Sequence, residues 1–143
     1  MSRIYWDSML FIYLVEKHSI FGPQVNHILA RMEQRGDRLF TSVFTLGEVL
    51  VGARRLKLTN VEHEVKDFFL GPGSPVSMLP FTPEVAERYA DIRATSKIAA
   101  PDAIHLATAA MEGMDMFLTN DRSLARKTIA GIGHISDLAS VPL

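Results

Sequence analysis

Apolar positions fall in short continuous runs separated by stretches of helical period, and the two patterns alternate along the chain. Arg3 to Trp6 reads as a strand, and Ser8 to Lys17 as a helix. Gln24 to Gln34 carries Val25, Ile28, Leu29 and Met32 at helical spacing, with Pro23 near its start and Gly36 at its end. A second strand, Leu39 to Val43, leads into a helix from Thr45 to about Lys57. Thr59 is placed to cap the next helix, whose apolar face is Val61, Val65, Phe68 and Phe69. Val76 to Leu79 is a third strand. Thr82-Pro83-Glu84 then opens a helix with a capping hydroxyl, a proline in the first turn and an acid at the positive end of the dipole. Pro101 begins a helix that runs through Ala110, and Met116 to Leu118 is a fourth strand. A helix is expected at Ser123 and a short strand near His134-Ile135. Strands separated by helices predict a three-layer α/β/α fold, with a central parallel sheet of four to five strands. The strongest break, Gly71 to Pro75, has no self-contained pattern on either side, so residues 1–143 read as one domain.

Composition narrows the functional classes. A chain with 48% hydrophobic residues can bury a substantial core. Its mean hydropathy of +0.12 suits either a partner interface or a compact α/β core. Cysteine is absent, which excludes disulfides and thiolate chemistry and fits a reducing cytoplasm. The run Met9 to Val15 has seven residues, far below the roughly 20 that span a bilayer. Asp7 before it and Glu16-Lys17 after it also argue against a signal peptide, so no membrane segment is expected. The formal charge of −1 points to no polyanionic partner by itself.

The candidate chemistry lies in four carboxylates. Asp7 separates two apolar runs, where an unpaired carboxylate is costly to desolvate. Asp7 and Asp121 follow strands one and four, and ligands of open parallel sheets bind beyond the carboxyl ends of strands. Both also fit helix caps, and Asp102, just after Pro101, fits a first-turn acid that complements the dipole. Glu48 has Phe44 at i−4 and Val51 at i+3, so it does not sit on a charged face. His105 lies at i+3 from Asp102. It reads either as a partly buried histidine bonded to backbone or as a residue that senses the site or touches a ligand.

Together, "WDSMLFIYLVE", "SVFTLGEVLVGA", "PDAIHLATAA" and "FLTNDRSL" resemble, in that order, the PIN-domain ribonucleases, and more narrowly the VapC-like toxins of type II toxin–antitoxin systems. The resemblance spans nearly the whole chain. It implies that Asp7, Glu48, Asp102 and Asp121 are the catalytic, metal-holding acids. It also implies that Ser8 supports the first acid and that Thr119 and Asn120 place the last. Ser8 stands where Thr is commoner, and the stretch from Ala94 to Pro101 is short. The implied activity is cleavage of RNA to a 5′-phosphate and a 3′-hydroxyl. The implied partners are a VapB-like antitoxin that occludes the acidic cleft and a second copy of the chain in a homodimer.

Four converging carboxylates repel one another, and hard oxygen donors without cysteine call for Mg²⁺ or Mn²⁺. Two such ions about 3.5–4 Å apart could activate a water and stabilise the leaving oxygen of a phosphodiester. Taking the four acidic charges from the net −1 leaves +3 on the rest of the chain. Arg54, Arg55 and Lys57, Arg93 and Lys97, and Arg122 and Arg126 are candidates for RNA phosphate contacts, or else solvated helix ends. Rivals include a phosphoacceptor receiver, for which strand three ends without an acid at Leu79-Pro80-Phe81, and a haloacid-dehalogenase-like phosphatase, which needs an Asp where Met9 stands. Two others are a PIN-like module that binds RNA or protein without cutting, and a housekeeping ribonuclease with no antitoxin. A nuclease for structured DNA would need insertions that 143 residues leave no room for.

Overall fold

The computed structural model describes residues 1–143. Strands β1 (Arg3–Trp6), β2 (Arg38–Ser42), β3 (Val76–Leu79), β4 (Met116–Thr119) and β5 (Ile135–Asp137) form one sheet in the order β3-β2-β1-β4-β5. Every neighbouring pair is parallel. Seven helices complete the α/β fold: α1 (Ser8–Val15), α2 (Phe21–Arg35), α3 (Val43–Arg55), α4 (Thr59–Leu70), α5 (Pro83–Thr95), α6 (Ala100–Glu112) and α7 (Arg122–Ala125).

Strand side chains alternate between the two faces, and that alternation splits the core in two. Ile4, Trp6, Leu39, Met116 and Leu118 pack with Leu10, Phe11, Ile28, Met32, Val49 and Phe69 from α1 to α4. Tyr5, Phe40, Phe117 and Ile135 pack on the opposite face with Val85, Ile92, Ala103, Leu106 and Ala107 from α5 and α6. The central strand has little polar surface to spend, since Ile4, Tyr5 and Trp6 are all fully buried. Burying each such aromatic or branched side chain stabilises the fold by about 1.5–3 kcal/mol. No helix is long and apolar enough to cross a membrane.

The expected elements are all present, and β1 and β3 have the expected bounds. Several boundaries move, some for local reasons that the structure shows. Helix α1 stops at Val15 rather than Lys17, because Lys17 adopts a left-handed backbone at φ 52°. Helix α2 starts three residues early, at Phe21, where His18 Nδ1 accepts the backbone N–H groups of Ile20 and Phe21. It ends at Gly36, whose φ of 72° needs a residue without a Cβ. The second strand ends at Ser42, whose hydroxyl accepts the Phe44 N–H and starts α3 two residues before Thr45. Thr59 does not cap α4; it is the first helical residue, and Leu58 occupies the cap without a side-chain bond. Thr82 does cap α5, accepting the Val85 N–H at 3.2 Å.

Candidate functional site

The chain builds outward from β1 through β2 to β3, then returns to the other side of β1 with β4 and β5. This reversal leaves a crevice beyond the carboxyl ends of β1 and β4, where open α/β sheets bind ligands. Asp7 follows β1 and Asp121 follows β4, so the topology brings together two acids that are 114 positions apart. Asp102 enters from the first turn of α6, and Glu48 from the second turn of α3.

Asp7 is the most constrained of the four. It occupies the N-cap position of α1 yet makes no capping hydrogen bond. The Met9 N–H lies near enough to favour the charged form weakly, without closing such a bond. One carboxylate oxygen, Oδ2, accepts the Thr119 hydroxyl at 2.6 Å. The other, Oδ1, is buried and has no partner. Burial is the largest influence and pushes the Asp7 pKa up to about 6, against the Thr119 bond and with help from the Asp102 charge. Thr119 also accepts the Asp121 N–H at 3.0 Å, so one hydroxyl ties the first acid to the last. Asn120 is anchored too, its amide donating to the Tyr13 hydroxyl at 2.8 Å.

Asp102 is half-buried, and burial raises its pKa first, followed by the charges of Asp121 and Glu48. It therefore sits at the electrostatic centre of the group. Asp121 is exposed and does cap a helix: its Oδ1 accepts the Ser123 N–H at 2.8 Å and hydroxyl at 2.6 Å. The Ser123 hydroxyl chiefly holds it below the usual carboxylate range. Helix capping thus describes Asp121 but not Asp7.

Glu48 is held from below. Its Oε1 accepts the Ser8 hydroxyl and lies 3.0 Å from His105 Nε2. Burial pushes Glu48 up, but the His105 and Ser8 hydrogen bonds outweigh it and leave the pKa lowered. The structure corrects the backbone-bonded reading of His105. His105 is 2% exposed, and its ring's partners are the side chains of Tyr5 at 2.8 Å, Ser8 at 3.0 Å and Glu48. Ser8 contacts Glu48 rather than Asp7, so its support goes to the second acid.

No three His, Asp or Glu side chains are close enough, as they stand, to hold an ion between them. The donor chemistry nevertheless fits a hard divalent cation. Asp7 Oδ1 is a buried acceptor without a donor, and the charges of Glu48 and Asp121 act on Asp102, as that of Asp102 acts on Asp7. A groove of about 510 Å³ lies between α1, α3 and α4, and none of the four acids lines it.

The basic candidates divide. Arg54 is committed to Glu62 on α4, with Nε and a terminal nitrogen each 2.9 Å from Oε1, so it is not a free phosphate contact. Arg55, Arg93, Lys97, Arg122 and Arg126 are exposed. Arg122 lines a cavity of about 290 Å³ with Asn120 and Gln24, next to Asp121 in the chain.

The PIN domain family model matches residues 4–129. The chain belongs to the PIN domain family. Among solved structures it is similar to VapBC2 from Rickettsia felis bound to a promoter DNA fragment, at 17% identity and TM-score 0.74 over 94% of this chain and 98% of that one. It is also similar to VapC20 of Mycobacterium tuberculosis, a sarcin-ricin-loop-cleaving toxin, at 16% identity and TM-score 0.70 over 87% and 96%. DNA-bound VapBC from Salmonella typhimurium gives 23% identity and TM-score 0.69 over 96% and 99%. No curated protein matches the sequence. Within this PIN domain, sequence reasoning missed Tyr5, whose hydroxyl meets a histidine 100 positions away. An aromatic residue inside an apolar strand carries no signal of such a bond.

Proposed function

We propose that this PIN domain is a metal-dependent endoribonuclease and the toxin of a toxin–antitoxin pair. The observation that carries the reading is Asp7: a buried carboxylate with one orphaned oxygen, feeling the charge of Asp102 at the point where the strand order reverses. Asp7, Glu48, Asp102 and Asp121 are the residues that would hold Mg²⁺ or Mn²⁺. When bound, the ion or ion pair supplies Lewis-acid activation of water and of the phosphodiester. Thr119 fixes the orientation of Asp7 and ties it to the Asp121 backbone. Asp121 remains ionised because Ser123 satisfies one of its oxygens. Arg55, Arg93 and Arg122 are exposed cations that can take RNA phosphates, offsetting the acidic crevice. Hydrolysis leaves a 5′-phosphate and a 3′-hydroxyl.

Similarity to VapBC assemblies supports a VapB-like antitoxin partner; a basic side chain that it placed among the acids would gain charge-assisted hydrogen bonds there. A homodimer and a cytoplasmic location belong to the same reading. The test is cleavage of defined RNA and single-stranded DNA in Mg²⁺, Mn²⁺ and chelator, with Asp102→Asn alongside. RNA cleavage that needs the ion and is lost in the variant is expected. Cleavage in chelator, or by the variant, rejects the proposal.

A further inference from the structure

Beneath the acids runs a buried polar chain drawn from four elements. The Tyr5 ring, fully buried on β1, stacks on Phe117 of β4 with centroids 5.1 Å apart and planes 8° from parallel. Its hydroxyl is 2.8 Å from His105 Nδ1 on α6. The far nitrogen of that ring, Nε2, reaches Glu48 Oε1 on α3 and Ser8 Oγ on α1, both at 3.0 Å. Phe44 closes the remaining side of the imidazole, with ring centroids 5.7 Å apart.

The donors and acceptors of this chain follow from its end. A carboxylate only accepts, so the nitrogen facing Glu48 must carry the proton. In the neutral ring Nδ1 is then an acceptor, and the Tyr5 O–H is the donor that satisfies it. Both hydrogen bonds to Glu48 fall on Oε1, and Oε2 accepts none from the protein. No other anchor is available on that face of α3, where Phe44 and Val51 are apolar and 36% and 45% exposed.

We infer that Tyr5 and His105 are positioning residues for Glu48: the tyrosine hydroxyl fixes the imidazole tautomer, and the imidazole holds one glutamate oxygen so that the other faces the crevice. The inference rests on the proposed function for what Oε2 does there, while the clamp itself stands on the hydrogen bonds. A glutamate on an exposed apolar helix face would otherwise spread over many rotamers. The clamp removes that freedom before any ligand arrives.

Two measurements on the whole protein test this. Histidine ring-nitrogen NMR, without metal, should show the Nε2–H tautomer for His105 in the wild type and a mixture of tautomers in Tyr5→Phe. An Nδ1–H tautomer, or no change in Tyr5→Phe, overturns the clamp. Mn²⁺ titration should show affinity about 10–100-fold weaker in His105→Leu, and largely recovered in His105→Gln, whose amide N–H can replace Nε2–H. If both variants lose thermal stability alike while Mn²⁺ affinity stays at the wild-type value, His105 is structural only and the inference falls. If the wild type binds no Mn²⁺, the proposed function falls instead, and the ring spectra alone decide the clamp.

Discussion

Replacing Asp7 with Asn should make the metal-free protein more stable, by an amount that depends on pH. The Asp7 pKa of about 6 stands some two units above its ordinary 3.8. At about 1.4 kcal/mol per unit, ionising it in place costs the folded state about 3 kcal/mol. Asp7 is only 6% exposed, so solvent screening removes little of that. A raised acid pKa means that the folded state binds the proton more tightly than the unfolded chain. Stability therefore falls as pH rises between about 4 and 6, and the full penalty applies above about 6. Asn cannot ionise, and its carbonyl can still accept the Thr119 hydroxyl that Oδ2 accepts now. A net gain of about 2 kcal/mol near pH 8 is expected, or a Tm rise of roughly 5–10 °C for a chain of this size, shrinking toward zero near pH 4. Thermal unfolding of both proteins in chelator across that range measures it. Saturating Mg²⁺ should then stabilise the wild type alone and narrow the gap. A variant that is less stable near pH 8, or a difference that ignores pH, would refute the reasoning and make Asp7 a structural residue.

Three other outcomes follow from the same geometry. Thr119→Val removes the donor to Asp7 and the acceptor of the Asp121 N–H, so urea melts should show a loss of about 1–3 kcal/mol, larger above pH 6 because the Asp7 pKa climbs further. Asp121→Asn keeps an equivalent cap on α7, so the Tm should barely move while RNA cleavage collapses. Gly131→Ala puts a Cβ 2.4 Å from the Ala110 carbonyl oxygen at a φ of 95°, and should cost about 1–3 kcal/mol in a denaturant melt while leaving Mn²⁺ affinity unchanged.

What was legible in the sequence was whatever local pattern controls. The continuous apolar run Ile4-Tyr5-Trp6 and the helical spacing around Val25 to Met32 come from burial, and burial fixed the layers. Asp7 stood out because it interrupts an apolar run, and Glu48 because its helical neighbours are apolar; in the structure the charge of Glu48 acts on Asp102, and that of Asp102 on Asp7. Element ends were harder. A histidine, His18, accepts the first N–H groups of α2, a role its residue type does not announce, and Leu58 rather than Thr59 holds the cap position of α4. Contacts between distant segments were not legible at all. Nothing near Arg54 in the sequence shows that α4 folds back to present Glu62, and nothing near Tyr5 shows that α6 delivers His105. Such pairings are set by how the helices pack on the sheet.

The central claim is that the four acids form one site for a divalent ion. Calorimetric titration of Mn²⁺ into chelator-stripped protein, repeated with Asp7→Asn and Asp102→Asn, tests it without relying on any RNA. Saturable binding by the wild type, absent or strongly weakened in both variants although each remains folded, is the predicted result. Binding of equal strength in all three proteins, or none in the wild type, would contradict it.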